Sequence, residues 1–190
     1  MDARLHDTQW RLDHLYFIVT KGKKGILFKE NRVQRYFREN RHKRNIICKS
    51  RQLGFSTQGC IEMLDSALFT RNFQGLFIAQ DLDTAKDIFS NKIELAWQNY
   101  PLKELYHCDA NSARQLKFGY GDGTVSSITV DSSGRSGTYN RVHVTEFADV
   151  AKKVKNIFTQ AEARREKPDE ILSNLKKVPG LRLGLTPFEI

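Results

Sequence analysis

One stretch decides the fold of this chain: KSRQLGFST, at residues 49–57. A short apolar run at 45–48 precedes it and a helix-like segment at 57–69 follows it, an order that predicts a strand, a tight glycine turn and a helix. Such a turn gathers several backbone N–H groups at one point, where the helix dipole also favours an anion. The stretch therefore predicts a phosphate-binding loop, with an ordinary strand-to-helix turn as the alternative.

The loop departs from the usual phosphate-loop pattern G-x-x-x-x-G-K-[ST]. The first glycine is missing, and Phe55 stands where the lysine belongs. A lysine occurs at the front of the loop instead, and the long side chain of Lys49 can fold back from the strand end onto the β- and γ-phosphates of a nucleotide. Ser56 then supplies the hydroxyl for Mg²⁺.

A second predicted strand ends in an acid, at residues 139–146 (YNRVHVTE). Val142 and Val144 alternate with polar residues, and the run closes on Thr145 and Glu146. A carboxylate at a strand end beside a phosphate loop can orient the water that attacks the γ-phosphate. Glu146 is therefore the candidate general base, and a surface glutamate at a strand terminus is the alternative.

Strands alternate with helices along the chain, which predicts an α/β fold with a mostly parallel central sheet flanked by helices. We expect residues 1–30 to form an N-terminal appendage that packs on a core at 31–190. Helices are expected at about 8–19, 31–40, 57–69, 81–97, 154–165 and 169–177. Strands are expected at 45–48, 74–79, 139–146 and 181–185, with a hairpin over 115–130.

Composition limits the class of partner. The chain has 190 residues and a formal net charge of +9, which favours an anionic partner, most plausibly nucleic acid. No apolar run reaches the roughly 18 residues of a membrane span, and the start has no secretory apolar region, so we expect a cytosolic protein. The three cysteines have no metal-ligand spacing, and their number is odd.

Several of these segments, in order, resemble the large terminase subunits of tailed bacteriophages. The loop at 49–57 resembles the deviant phosphate loop of that family, in some members of which the lysine is displaced to the front. Residues 142–148 resemble its metal-and-base strand, and residues 12–21 and 31–34 are similar to its N-terminal region. The resemblance implies a P-loop NTPase of the additional-strand, catalytic-glutamate type, and an ATPase motor that drives viral DNA into a procapsid.

The resemblance also implies a role for individual residues. The residues it assigns to ATP binding are Gln34, Lys49, Ser50, Arg51, Gln52, Gly54, Phe55, Ser56 and Thr57. Gln34 matches the glutamine that reads adenine, with a solvent-facing helix position as the alternative. Lys49 neutralises phosphate charge, and Arg51 contacts or senses the γ-phosphate unless it forms a surface salt bridge. Ser56 ligates Mg²⁺, with Thr57 as the neighbouring candidate.

Two further residues match functional positions of the family. Arg135, in a glycine-flanked segment ahead of the acid strand, matches the arginine finger that stabilises charge on the γ-phosphate, with a loop arginine that touches DNA as the alternative. Thr186 matches the coupling residue at the end of the last strand, with a plain strand-terminal turn as the alternative. Thr145 stands where many relatives have aspartate, so we expect weaker Mg²⁺ binding through Ser56 and Thr145.

The implied partners are double-stranded DNA, a portal protein, a small terminase subunit and further copies of the chain in a ring. We expect a monomer in isolation and a location in the bacterial host cytoplasm, docked on the portal during packaging. The nuclease that follows the motor in this family has no counterpart here, so no DNA cleavage is expected. The alternatives are a helicase-like DNA-dependent ATPase and a non-hydrolysing module that binds nucleic acid or a protein partner.

A basic segment lies just before the loop. Arg32, Arg35, Arg38 and Arg41 recur every three residues, which places them along one side of a helix. That side can contact DNA phosphates or a neighbouring subunit, and a solvated helix face is the alternative.

Overall fold

A β-sheet with helices packed on it forms the fold in the computed structural model, which describes residues 3–20, 23–48, 52–132 and 137–145. In chain order the α-helices are α1 (Thr8–His14), α2 (Arg32–Asn40), α3 (Phe55–Phe69), α4 (Leu82–Ile88) and α5 (Leu95–Gln98). The strands are β1 (Phe17–Thr20), β2 (Lys23–Leu27), β3 (Gln74–Ile78), β4 (His107–Ser112), β5 (Gln115–Tyr120), β6 (Thr124–Asp131) and β7 (Arg141–Val144). Short 3₁₀ turns occur at Ala3–His6 and Lys103–Leu105.

The main sheet has the strand order β4-β5-β6-β3-β7. Strand β3 lies between β6 and β7 and is parallel to both, with Leu76 opposite Thr129 on one side and Val142 on the other. Strands β4, β5 and β6 form an antiparallel meander. The predicted hairpin over 115–130 is part of this meander, and β4 is a strand that the sequence analysis missed.

Helix α3 packs on the face of the sheet formed by β3, β6 and β7. Its apolar side chains Ile61, Met63 and Leu64 are fully buried. A helix with so few polar residues is expected to be buried in this way. It runs antiparallel to β7, because Ser56 lies beside Thr145 and Glu62 lies beside Arg141. The N terminus of α3 therefore lies at the end of β7.

The helical stretch at 82–98 is continuous but irregular. Asp81 caps its start by accepting a hydrogen bond from the backbone N–H of Thr84 at 2.7 Å, as the sequence allowed. A π-helical segment, Phe89–Glu94, joins α4 to α5, and it keeps Phe89, Ile93 and Trp97 in the core. Trp97 then packs edge-on against Phe118 of β5.

The N-terminal segment packs on the core, although its predicted secondary structure is wrong in part. The helix expected at 8–19 ends at His14, and β1 pairs with β2 in an antiparallel hairpin. Phe17, Ile18 and Val19 are aromatic or β-branched residues that favour a strand, and this preference prevails once a partner strand is present. Arg11 fixes the segment to α3 through two hydrogen bonds to the carboxylate of Asp65, at 2.8 and 2.7 Å.

The predicted strand at 45–48 is not formed. Residues 45–48 pair with none of the described strands, and the Ile46 side chain is 86% exposed. The apolar run alone does not make a strand, because its backbone groups need a neighbour in the sheet. The helices predicted at 154–165 and 169–177 and the strand predicted at 181–185 lie outside the described residues.

In the part of the chain that the structure describes, no helix combines the length and the apolar character needed to cross a membrane.

Candidate functional site

The end of the predicted phosphate loop has an unusual backbone. Gln52 and Gly54 both have positive φ angles, 67° and 74°, in the left-handed region. Glycine adopts this conformation without strain, whereas for Gln52 it costs about 1–3 kcal/mol. Strain of this kind concentrates at binding sites, and here it lies where the chain turns into α3.

Gly54 is the N-cap of α3 and has no side chain with which to cap the helix. The N–H groups of the first helical turn have no partners within the helix, and the helix dipole adds positive potential at the same end. A helix of 15 residues that starts without a capping side chain is suited to an anion, and in particular to a phosphate.

Helix α2 and its N-cap residue are hydrogen-bonded to this loop end. The Gln34 side chain donates from Nε2 to the Gly54 carbonyl at 2.9 Å, and the Asn31 side chain donates from Nδ2 to the Leu53 carbonyl at 3.2 Å. Gln34 also closes a capping box at the start of α2, because its Oε1 accepts from the Asn31 N–H at 2.8 Å. Gln34 is 4% exposed, so its alternative interpretation as a solvent-facing residue is wrong.

Phe55 occupies the position of the lysine in the usual loop pattern, and it faces the protein. It is 6% exposed, and its ring packs edge-on against Phe37 of α2 with the centroids 5.5 Å apart. Phe55 is therefore a packing residue between α3 and α2.

The loop end and the acid strand meet at one point. Ser56 Oγ lies 3.5 Å from Thr145 Oγ1, although 89 positions separate the two residues. One helical turn further along α3, Gly59 lies so close to the imidazole of His143 that a Cβ there would be 2.7 Å from Nδ1. The predicted phosphate loop and the predicted acid strand are thus neighbours in space.

The described donors suit magnesium only in combination with a nucleotide. Ser56 and Thr145 present two neutral hydroxyl oxygens, and within the described ranges no three His, Cys, Asp or Glu side chains form a group that could hold a metal. Mg²⁺ prefers oxygen ligands and usually keeps substrate phosphates and waters in its shell. The pair therefore fits a magnesium ion that arrives with its phosphates.

Six of the predicted site residues lie outside the described residues: Lys49, Ser50, Arg51, Arg135, Glu146 and Thr186. The structure thus brings together Gln34, Gly54, Ser56 and Thr145 from the predicted set. Thr57 lies in the first turn of α3, half-buried, next to Ser56.

A buried polar network behind the loop was not predicted. Glu62 of α3 is 7% exposed and accepts hydrogen bonds from Arg41, from Arg141 at 3.3 Å and from the Gln58 side chain at 3.1 Å. Gln58 also donates to Glu30 at 2.9 Å and to the Gln34 carbonyl at 3.1 Å. Burial lowers the pKa of Arg141, and the charge of Glu62 opposes that effect. Sequence separations of 21 and 79 residues leave no local pattern that could have revealed these pairs.

Only part of the basic side of α2 is free of ion pairs with buried carboxylates. Arg38 pairs with the buried carboxylate of Glu30 and Arg41 with that of Glu62, whereas Arg32 and Arg35 are exposed. Two of the four arginines are therefore held by the protein, and two remain on the surface.

The described elements form an α/β fold in which α3 begins at the end of β7, beside Thr145. The chain is similar to a solved structure, the ATPase domain of the large terminase of Thermus phage P74-26, with 21% identity and a TM-score of 0.56. The similarity covers 73% of this chain, and it spans 62% of that solved chain. The fold prediction is therefore confirmed, and the terminase resemblance is confirmed at the level of the fold.

Comparison with protein-family models gives no match. Comparison with curated proteins also gives no match.

Proposed function

We propose that this chain is the ATPase motor domain of a phage large terminase, which couples ATP hydrolysis to movement of double-stranded DNA into a procapsid. The fold shared with a terminase ATPase domain supports this proposal. The observation that carries it is the approach of Ser56 Oγ to Thr145 Oγ1, at 3.5 Å. An ordinary strand-to-helix turn gives no reason for the two predicted motifs to meet.

In this proposal the two reacting groups face the same triphosphate. Glu146 directly follows Thr145 in the sequence, and Lys49 precedes Gly54 by five residues in the same predicted loop. Lys49 would place its amine on the phosphates, and Glu146 would act as the base for the attacking water.

In this proposal each residue has one task. Lys49 and Arg51 neutralise the triphosphate, Ser50 and Gln52 form the loop backbone around it, and the N–H groups of the first turn of α3 bind phosphate oxygens. Ser56 and Thr145, with Thr57 beside them, hold Mg²⁺. Mg²⁺ held there would neutralise negative charge on the phosphates. Glu146 orients the attacking water.

Gln34 is the proposed adenine contact, and its side chain already has two hydrogen-bond partners in the protein. Its amide is already bonded to Gly54 and Asn31, so an adenine would have to share or replace these bonds. Adenine binding would then act directly on the loop end at Gly54.

The coupling residues and partners belong to the same proposal. Arg135 would act as the arginine finger and Thr186 would relay loss of the γ-phosphate. The net charge of +9 supports DNA as a partner. A portal protein, a small terminase subunit and further copies in a ring would complete the motor, docked on the procapsid in the host cytoplasm.

The test is ATP hydrolysis by the chain assembled on double-stranded DNA. Glu146→Gln keeps the size of the side chain and removes the base, so we expect ATP binding to persist while kcat falls by about 10²–10⁴-fold. Glu104→Gln, at an exposed position on the 3₁₀ turn Lys103–Leu105, is the matched control and should leave kcat unchanged.

Two results would change the proposal. A wild-type chain that binds ATP but never hydrolyses it on DNA would be a binding module, not a motor. Strand separation coupled to hydrolysis would indicate a helicase-like enzyme.

A further inference from the structure

Glu62 is a buried carboxylate that joins three segments of the proposed site. Its Oε2 accepts from Arg41, which follows α2 and leads into residues 42–48, and from Arg141, which begins β7. Its Oε1 accepts from Gln58 at 3.1 Å. Each of these segments leads to a candidate site residue: Arg41 toward the loop, α3 to Ser56, and β7 to Thr145.

A second path connects the same carboxylate to the loop end. The Gln58 side chain donates to the carbonyl of Gln34, and the Gln34 side chain donates to the carbonyl of Gly54. Glu62 is thus connected to the end of the predicted phosphate loop through Gln58 and Gln34, and directly to Arg41, which lies eight residues before Lys49.

The ion pairs of Glu62 are not explained by a gain in the free energy of unfolding. Desolvation of a buried ion pair largely offsets its attraction, and an apolar replacement of similar volume is often as stable. The Arg41 and Arg141 side chains each retain 33% exposure, which further weakens their pairs through solvent screening. The contacts of Glu62 instead fix the relative positions of segments that are far apart in the sequence.

We propose that Glu62 is a positioning residue of the nucleotide site. It holds the approach to the phosphate loop and the start of β7 against α3, so that Ser56 and Thr145 face the same phosphates. Glu62 lies six residues along α3 from Ser56, or about 9 Å, and therefore acts through other residues and not on the nucleotide. This inference rests on the proposed function.

The same helix provides a matched control. Asp65 lies three residues after Glu62, is 4% exposed and accepts two hydrogen bonds from Arg11 and one from Tyr16 at 2.8 Å. It ties the N-terminal segment to α3 and has no hydrogen bond to α2 or β7 among the contacts described, although its charge also acts on Arg141. Asp65→Asn therefore perturbs an equally buried acid that is not hydrogen-bonded to the loop, to α2 or to β7.

The experiment compares Glu62→Gln with Asp65→Asn in the full chain, at a temperature where urea unfolding shows each variant to be folded. We expect Glu62→Gln to weaken binding of a fluorescent ATP analogue with Mg²⁺, and to raise KM for ATP, by about tenfold or more, because small misplacements in a site have large effects. Asp65→Asn should leave both within about twofold, because its hydrogen bonds run to Arg11 and Tyr16 and none of them reaches the loop. Arg41→Met, which leaves Glu62 paired with Arg141, provides a milder second variant if Glu62→Gln does not fold.

Hydrogen exchange separates this inference from the proposed function. We expect Glu62→Gln to speed exchange of the amides at 53–57 and 142–145, and Asp65→Asn to speed exchange in α1 instead. If the wild-type chain does not bind ATP, the proposed function fails and the exchange pattern still tests the positioning role. Equal effects of the two variants, or wild-type affinity and exchange in Glu62→Gln, would overturn it.

Discussion

Replacement of Gly54 by alanine tests the loop geometry. At φ +74° an alanine costs about 1–2 kcal/mol relative to glycine, because its Cβ crowds the following carbonyl. That Cβ would also lie 2.7 Å from Gln34 Nε2, so the amide has to move. Its movement breaks the bonds to Gly54 and Asn31, each worth about 1 kcal/mol. The sum predicts a loss of about 3–4 kcal/mol.

Gly123 is the matched control for backbone strain alone. It has φ +83°, and a Cβ there would meet nothing within 4 Å, so Gly123→Ala should cost only the 1–2 kcal/mol of the left-handed backbone. Urea unfolding of both variants gives the comparison. In a Gln34→Ala background the steric part of the Gly54→Ala cost should disappear, a coupling of about 1–2 kcal/mol. Equal losses of unfolding free energy at Gly54 and Gly123, or strict additivity with Gln34→Ala, would refute the contact between Gln34 and Gly54.

Two further predictions concern stability. Phe55→Ala should lower the free energy of unfolding by about 3–5 kcal/mol, because Phe55 is a buried ring against Phe37; a loss below about 1 kcal/mol in urea unfolding would show that it is not a packing residue. Burial raises the pKa of the Cys60 thiol from 9.0 to about 12, so the folded protein keeps a proton that the unfolded chain loses above pH 9. The stabilising effect is complete below pH 9 and falls by up to about 1.4 kcal/mol per pH unit towards pH 12. Urea unfolding at pH 8 and pH 10 should therefore show a smaller pH dependence for Cys60→Ala than for the wild type, and equal dependences would contradict the burial of the thiol.

Local sequence patterns predicted several of the helices and strands. The apolar positions at 57–69 predicted α3, and the strand predicted at 74–79 corresponds to β3. The same reasoning failed at 45–48, since an apolar run becomes a strand only beside a partner. It also failed at β1, where helical spacing outweighed the strand preference of Phe17 and its neighbours.

The candidate site was inferred from patterns that are local in the sequence. The glycine at 54 and the hydroxyl at 56 were identified from their spacing within the loop. The contacts that fix them, from Gln34 to Gly54 and from Glu62 to Arg41 and Arg141, join residues 20 to 79 positions apart. No periodicity in one sequence encodes such pairs, because the fold alone brings them together.

The central claim is that the loop at 49–57 and the end of β7 bind one triphosphate. A structure of the chain with Mg²⁺ and a non-hydrolysable ATP analogue measures this directly. We expect Mg²⁺ beside Ser56 and Thr145 and the γ-phosphate next to it, with the Lys49 amine and the Glu146 carboxylate both turned towards that phosphate. Density for the nucleotide elsewhere, or Lys49 and Glu146 on opposite faces of the sheet, would contradict the account.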